Sequence, residues 1–167
     1  MVTIDPQPPL IRTREQHTAV VHEHVPMSAL TDFFGRAFGA VMAAAQAQNA
    51  NPTGPPFALY HGKPTGAVDV EAGFPITADF ADAGDMLASK LPESEAFEDM
   101  HQGPYDTIQQ TYALILERMS AEGKTPSDSM WEFYLSDPEK EPDPATWQTR
   151  IVWPIVPAAQ GSPKPEP

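Results

Sequence analysis

The sequence predicts an α+β fold in which one strand-helix-strand-strand unit is used twice, so that two pseudo-symmetric modules form an antiparallel sheet with helices on one face and a ligand cleft between the modules. Three observations carry this expectation. Phe57-Ala58-Leu59-Tyr60 and Trp131-Glu132-Phe133-Tyr134 share the pattern aromatic, any residue, apolar, Tyr. A second apolar strand follows each and ends in a matching tripeptide, Phe74-Pro75-Ile76 or Trp153-Pro154-Ile155. Upstream, Pro26 and Pro104 each stand between an expected strand and an expected helix, and the offsets from Pro26 to Pro104, Tyr60 to Tyr134 and Pro75 to Pro154 are 78, 74 and 79 residues. Offsets this nearly constant are what a repeated unit with slightly different loops produces.

Each element follows from local chemistry. Residues 1–15, with Pro6, Pro8 and Pro9, read as an extended lead-in. A strand over 18–25 contains β-branched Val20 and Val21 and stops at Pro26. Ser28 can cap the helix that follows, in which Leu30, Phe33, Phe34, Ala37, Phe38, Val41, Met42 and Ala45 recur at three- and four-residue spacing. Gly35 and Gly39, four apart, are expected to let that helix lie close on the sheet. After the loop signal Asn51-Pro52-Thr53-Gly54-Pro55-Pro56 come strands over 57–61 and 67–74, joined by a hairpin-length connection containing Gly62 and Gly66. A polar connection over 79–92 carries a further strand starting near Met86.

The second copy opens with a strand over 95–102 and a helix over 104–121, with proline in its first turn and Gly123 just past its end. Ile108, Tyr112, Ile115, Leu116 and Met119 form the buried stripe of that helix. Strands over 130–135 and 149–156 follow, joined by an acidic, proline-rich loop over 136–147, and residues 157–167 read as a disordered tail. A single domain over 16–156, with modules 16–76 and 86–156, is the expected organisation.

Composition narrows the function classes. The 41% hydrophobic and 20% charged content fits a globular protein. Twenty-three acidic against 10 basic residues give a formal net charge of -13, which repels phosphate backbones and anionic lipid, so neither nucleic acid nor membrane is an expected partner. The chain has no cysteine, which excludes disulfides, thiolate nucleophiles and Cys-ligated zinc. With no signal pattern and no long apolar run, a cytoplasmic location is expected.

His61-Gly62, the acidic Asp69 and Glu71 before Gly73-Phe74-Pro75-Ile76, His101-Gln102-Gly103-Pro104-Tyr105, and Trp131-Glu132-Phe133-Tyr134 leading through Asp137-Pro138 to Trp147-Gln148-Thr149 resemble the GyrI-like effector-binding family in order and spacing. The resemblance covers about residues 16–156. It implies two modules about a pseudo-two-fold axis and a ligand cleft whose acidic residue is carried by the strand matching Trp131 to Tyr134; here that residue is Glu132. Because so little chain precedes the domain, a stand-alone effector-binding protein is expected, not a regulator with its own helix-turn-helix.

The site can also be argued from strand geometry. Alternation puts Glu132 and Tyr134 on one face and Trp131 and Phe133 on the other, with Tyr60 equivalent to Tyr134. One face is expected to receive the helices and the other the cleft. The candidate ligand-binding residues are Glu132, Tyr134, Tyr60, Tyr105 at the start of the second helix, and the aromatic Phe57, Trp131 and Trp153. A carboxylate among aromatic walls suits a hydrophobic, preferably cationic, small molecule, because rings supply contact area and cation–π attraction and the carboxylate supplies counter-charge. The bland alternative is a solvated Glu132 on an exposed edge, with the aromatic residues forming core. Tyr112, at core spacing on its helix, reads as packing.

Two other functions stay open. The resemblance also extends to proteins that open reactive ring electrophiles, for which Glu132 would activate water and Tyr134 or Tyr60 would donate a proton, making Glu132 and Tyr134 catalytic. It extends too to gyrase inhibitors, for which a topoisomerase would be the protein partner. His22 and His24, two apart on one strand face, can chelate a metal but lack a third ligand in the sequence, so no metal is assigned. No cofactor motif occurs, and His61 and His101 stand beside no recognisable nucleophile.

Overall fold

The computed structural model describes residues 10–62, 66–77, 80–104, 107–136, 140 and 142–156. Its strands are β1 (Leu10–Thr13), β2 (Gln16–Pro26), β3 (Phe57–His61), β4 (Ala67–Pro75), β5 (Met86–Leu91), β6 (Ser94–Gln102), β7 (Ser129–Tyr134) and β8 (Gln148–Pro154). The helices are α1 (Leu30–Ala47) and α2 (Ile108–Ala121). All eight strands join one sheet in the order β1-β6-β8-β7-β3-β4-β2-β5, and the pairings are antiparallel.

The register demonstrates the duplication residue by residue. Thr18↔Pro75 between β2 and β4 maps, by offsets of 78 and 79, onto Ala96↔Pro154 between β6 and β8. Phe57↔Gly73 between β3 and β4 maps, by 74 and 79, onto Trp131↔Val152 between β7 and β8. The two modules meet at β3 and β7, where Ala58 is paired with Glu132. These two residues are also equivalent by the 74-residue offset, so the pseudo-two-fold axis passes between them. Applied to the helices, the 78-residue offset carries buried Phe33, Ala37 and Val41 of α1 onto buried Thr111, Ile115 and Met119 of α2.

Both helices pack on one face of the sheet, as expected. Phe33, Ala37, Val41 and Ala45 of α1 pack with Val21, Val25, Val68, Val70 and Ala72. Ile108, Ile115 and Met119 of α2 pack with Phe97, Met130 and Ile151. Burying each large apolar side chain stabilises the fold by about 1.5–3 kcal/mol. The opposite face holds its own core of Val20, Phe57, Leu59, Leu91, Ala96, Trp131, Phe133 and Val152. Chain connectivity explains how that face is buried without a helix. β5 ends at Leu91 and β6 starts at Ser94, yet six inter-strand steps separate them in the sheet order. Those steps span about 29 Å in a flat sheet, whereas the three peptide units from Leu91 to Ser94 reach about 11 Å. The sheet must therefore curl until its two ends meet.

Several elements depart from expectation. Leu10–Thr13, inside the expected lead-in, is a strand on the edge beside β6. α2 begins at Ile108 and not at Pro104; the Thr107 amide, just before it, donates to the Pro104 carbonyl. Gly35 and Gly39 do not face the sheet: both are exposed, and a Cβ at either would meet nothing within 4 Å. The close approach is made by Gly73 in β4, where a Cβ would fall 1.9 Å from the Ala19 carbonyl oxygen of β2. The expected tail over 157–167 lies outside the described residues. Among the described residues no helix is long and apolar enough to cross a membrane.

Candidate functional site

α1 lies over β2 and β4, and α2 lies over β6, which leaves the central strands β3 and β7 between the two helices. Tyr60, Glu132 and Tyr134 therefore lie on the helical face and not, as strand alternation alone suggested, on the opposite one. Tyr60 and Tyr134 pack against the α1 core, and Tyr60, Tyr112 and Trp153 pack against the α2 core. Glu132 sits between these groups, only 2% exposed.

A hydrogen-bonded chain runs through the cluster. Tyr134 Oη donates to Glu132 Oε1 at 2.8 Å, and Tyr112 Oη donates to Glu132 Oε2. Tyr60 Oη lies 3.2 Å from Tyr134 Oη. A phenol has one proton, and that of Tyr134 is committed to the carboxylate, so Tyr60 is the donor to Tyr134. Burial pushes the Glu132 carboxyl up from its ordinary pKa, while the two phenol bonds pull it part of the way back. The phenols of Tyr112 and Tyr134 are raised as well, first by burial and then by the neighbouring Glu132 charge. Among the described residues no Lys, Arg or His forms an ion pair with Glu132.

Aromatic rings wall the carboxylate. Phe34 and Phe38 of α1 stack 5.6 Å apart, and their centroids lie 5.7 and 6.2 Å from that of Tyr134. Phe38 meets Phe74 edge-on at 5.9 Å, and Tyr112 meets Trp153 at 6.0 Å with an interplanar angle of 89°. The duplication orders these contacts. Its offsets carry Tyr60 onto Tyr134, Phe34 onto Tyr112 and Phe74 onto Trp153. The ring framework is thus close to two-fold, but the polar groups are not, because Ala58 and Phe34 in the first half stand where Glu132 and Tyr112 stand in the second. The arrangement can neutralise a cation held against the rings, or exchange a proton at Glu132.

Glu132, Tyr134, Tyr60 and Trp153 come together as the sequence suggested, and Glu132 is buried, not solvated. Phe57 and Trp131 do not join them. They point from odd-numbered strand positions into the core of the opposite face. Tyr105 lies outside the described residues. Tyr112, read from the sequence as packing, both packs and binds the carboxylate, and Phe34 and Phe38 complete the wall. The signal for Tyr112 was present in the offset of 78 between Pro26 and Pro104, which places it opposite Phe34.

The chain belongs to the GyrI-like small molecule binding domain family, whose model matches residues 6–156. No curated protein matches it by sequence. Among solved structures it is similar to the EcmrR C-terminal domain, with 24% identity and a TM-score of 0.79 over 90% of this chain and 97% of that one. It spans 57% of the EcmrR chain seen in a complex with DNA. It is also similar to SAV2435 bound to tetraphenylphosphonium, with 14% identity and a TM-score of 0.65 over 90% of this chain and 94% of that one. A hydrolase from Listeria innocua shares 16% identity and a TM-score of 0.61 over 90% of this chain and 92% of that one.

Proposed function

We propose that this GyrI-like protein binds hydrophobic cations in the cleft between α1 and α2, with Glu132 as counter-charge, in a sensing or sequestering role. One observation carries the reading: a buried carboxylate held by two phenols, with no basic partner among the described residues, lies beneath aromatic rings. Leaving such a group without a cation has a desolvation cost that a bound cation offsets. The rings favour a delocalised organic cation over a small hydrated metal ion, since they supply area and quadrupole attraction but few ligand atoms. SAV2435, with its tetraphenylphosphonium, is a neighbour of the same fold that holds a ligand of this chemistry. Titration of the protein with tetraphenylphosphonium, followed by calorimetry and by tryptophan fluorescence, tests the proposal. Saturable binding with one site per chain is expected, and no binding in the millimolar range would reject it.

The Glu132–tyrosine chain also supports a second reading as a hydrolase. The ionised Glu132, made more basic by its raised pKa, can take a proton from a water whose oxygen attacks the ring carbon, while a neighbouring phenol donates its proton to the leaving ring oxygen. Mass spectrometry of an incubated ring electrophile separates the two readings. Product in excess of protein identifies turnover, whereas unchanged ligand leaves binding alone.

A further inference from the structure

A separate side-chain cluster lies on the sheet face away from the helices. His22 of β2, His61 of β3 and Glu71 of β4 present ligand atoms that all lie within 4.8 Å of one another. Asp69, also on β4, reaches His22, its Oδ1 being 2.6 Å from His22 Nε2. Glu71 Oε2 is 2.8 Å from His61 Nε2. The partners of His22 therefore come from the neighbouring strands, and His24, paired with it in the sequence reading, is not among them.

Strand register builds the cluster. His22 is the cross-strand partner of Glu71, and His61 is the cross-strand partner of Asp69. The two histidines flank β4 and the two carboxylates rise from it, with His22, His61 and Glu71 gathered together and Asp69 reaching His22 from the side. The histidine ring centroids are 5.4 Å apart.

We propose that His22, His61 and Glu71, with Asp69, form a binding site for one divalent transition-metal ion, such as zinc. Two imidazoles and carboxylate oxygens make a nitrogen and oxygen donor set suited to zinc and its neighbours. Two of the three inner ligands, Glu71 and His61, have one atom held and another presented. The Ser89 hydroxyl donates to Glu71 Oε1 at 2.9 Å, leaving Oε2 toward the histidines, and the Ser129 hydroxyl lies 3.4 Å from His61 Nδ1, leaving Nε2 toward Glu71. Outer partners of this kind orient metal ligands. The local charge also fits: two carboxylates face two imidazoles, and among the described residues neither carboxylate forms an ion pair with a Lys or Arg. Access is open on one side, since the His22 and His61 side chains are 36% and 34% exposed. Tetrahedral zinc needs donor atoms about 3.3 Å apart, so small side-chain rotations close the set.

Calorimetry with zinc chloride on the full chain, in a non-chelating buffer, tests the site. One equivalent is expected to bind, with affinity lowered at least about tenfold in His22→Asn and His61→Asn and about tenfold in Ser129→Ala, the usual scale for an outer partner. Exposed His17, away from the cluster, serves as control, and His17→Asn should bind as wild type does. Cobalt(II) supplies a readout independent of affinity: its visible ligand-field bands should appear with the wild-type protein and vanish in His22→Asn, whose exposed ring can be replaced without disturbing the core. Unchanged zinc affinity in both histidine variants, or no binding by the wild type at micromolar free zinc, would overturn the proposal. None of these outcomes depends on ligand binding in the helical cleft.

Discussion

Ala58 and Glu132 are cross-strand partners at the centre of the sheet and occupy equivalent positions in the two modules. A single carboxylate therefore lies beside the pseudo-two-fold axis, where a perfect duplication would place two or none. Two like charges at that separation in a buried site would repel each other strongly. An alanine opposite Glu132 leaves one carboxyl at the axis.

The phenol bonds to Glu132 have a stability consequence. Tyr112→Phe or Tyr134→Phe removes one donor from a buried carboxyl oxygen, and each should destabilise the ligand-free protein by about 1–3 kcal/mol in urea unfolding. Tyr60→Phe removes a neutral phenol–phenol bond one step further away and should cost about 0.5–1.5 kcal/mol. Equal effects for all three would show that the carboxyl does not organise the chain.

The raised pKa of Glu132 fixes the sign of a pH dependence. Between the ordinary glutamate value of 4.5 and the higher folded value, the folded state holds a proton that the unfolded state has released. This contribution is fully present below pH 4.5 and is lost as pH rises through the folded value. Glu132→Gln should flatten that part of the stability profile and make the ligand-free protein relatively more stable above it. Denaturation at a series of pH values checks this, and parallel profiles for the two proteins would contradict it.

Cation binding should show the opposite trend. A lipophilic cation favours the ionised carboxylate, so its affinity should rise with pH across the same window and its binding should release protons. Calorimetry in two buffers of different ionisation enthalpy measures the proton count, and zero release at the lower end of the window would count against a charge-reading Glu132.

Glycine positions give a test of the fold itself. Gly73→Ala would place a Cβ 1.9 Å from the Ala19 carbonyl oxygen, a backbone clash that should cost about 3 kcal/mol or more. Gly39→Ala, with open space around its Cβ in α1, should stabilise by about 0.5–1 kcal/mol through helix propensity. Thermal unfolding of the pair distinguishes a glycine required by packing from one that is not.

Much of this was legible in the chain because the duplication repeats distinctive residues. The offsets of 78, 74 and 79 residues anticipate the registers of both modules, and strand alternation correctly groups Tyr60, Glu132 and Tyr134. Alternation says which residues share a face but not which face the helices cover, so it does not show that Tyr60, Glu132 and Tyr134 share the helical face while Phe57 and Trp131 pack on the other. Tyr112 was hidden for a related reason: helical spacing marks it as buried, and only its partner across space reveals that its hydroxyl is used. The His22–His61–Glu71 cluster draws on three strands, and its members become neighbours only once β2, β4 and β3 are placed side by side. Leu10–Thr13 was too short a pattern, after so many prolines, to read as a strand.

The central claim is that Glu132 reads the charge of a ligand held by the aromatic walls. Its most direct measurement compares wild type and Glu132→Gln for tetraphenylphosphonium and for a neutral tetraaryl compound of the same size. A loss of about 1–3 kcal/mol in affinity for the cation, with the neutral compound bound equally by both proteins, is the expected result. Equal losses for the two compounds would mean that Glu132 shapes the cleft without reading charge, and would contradict the account.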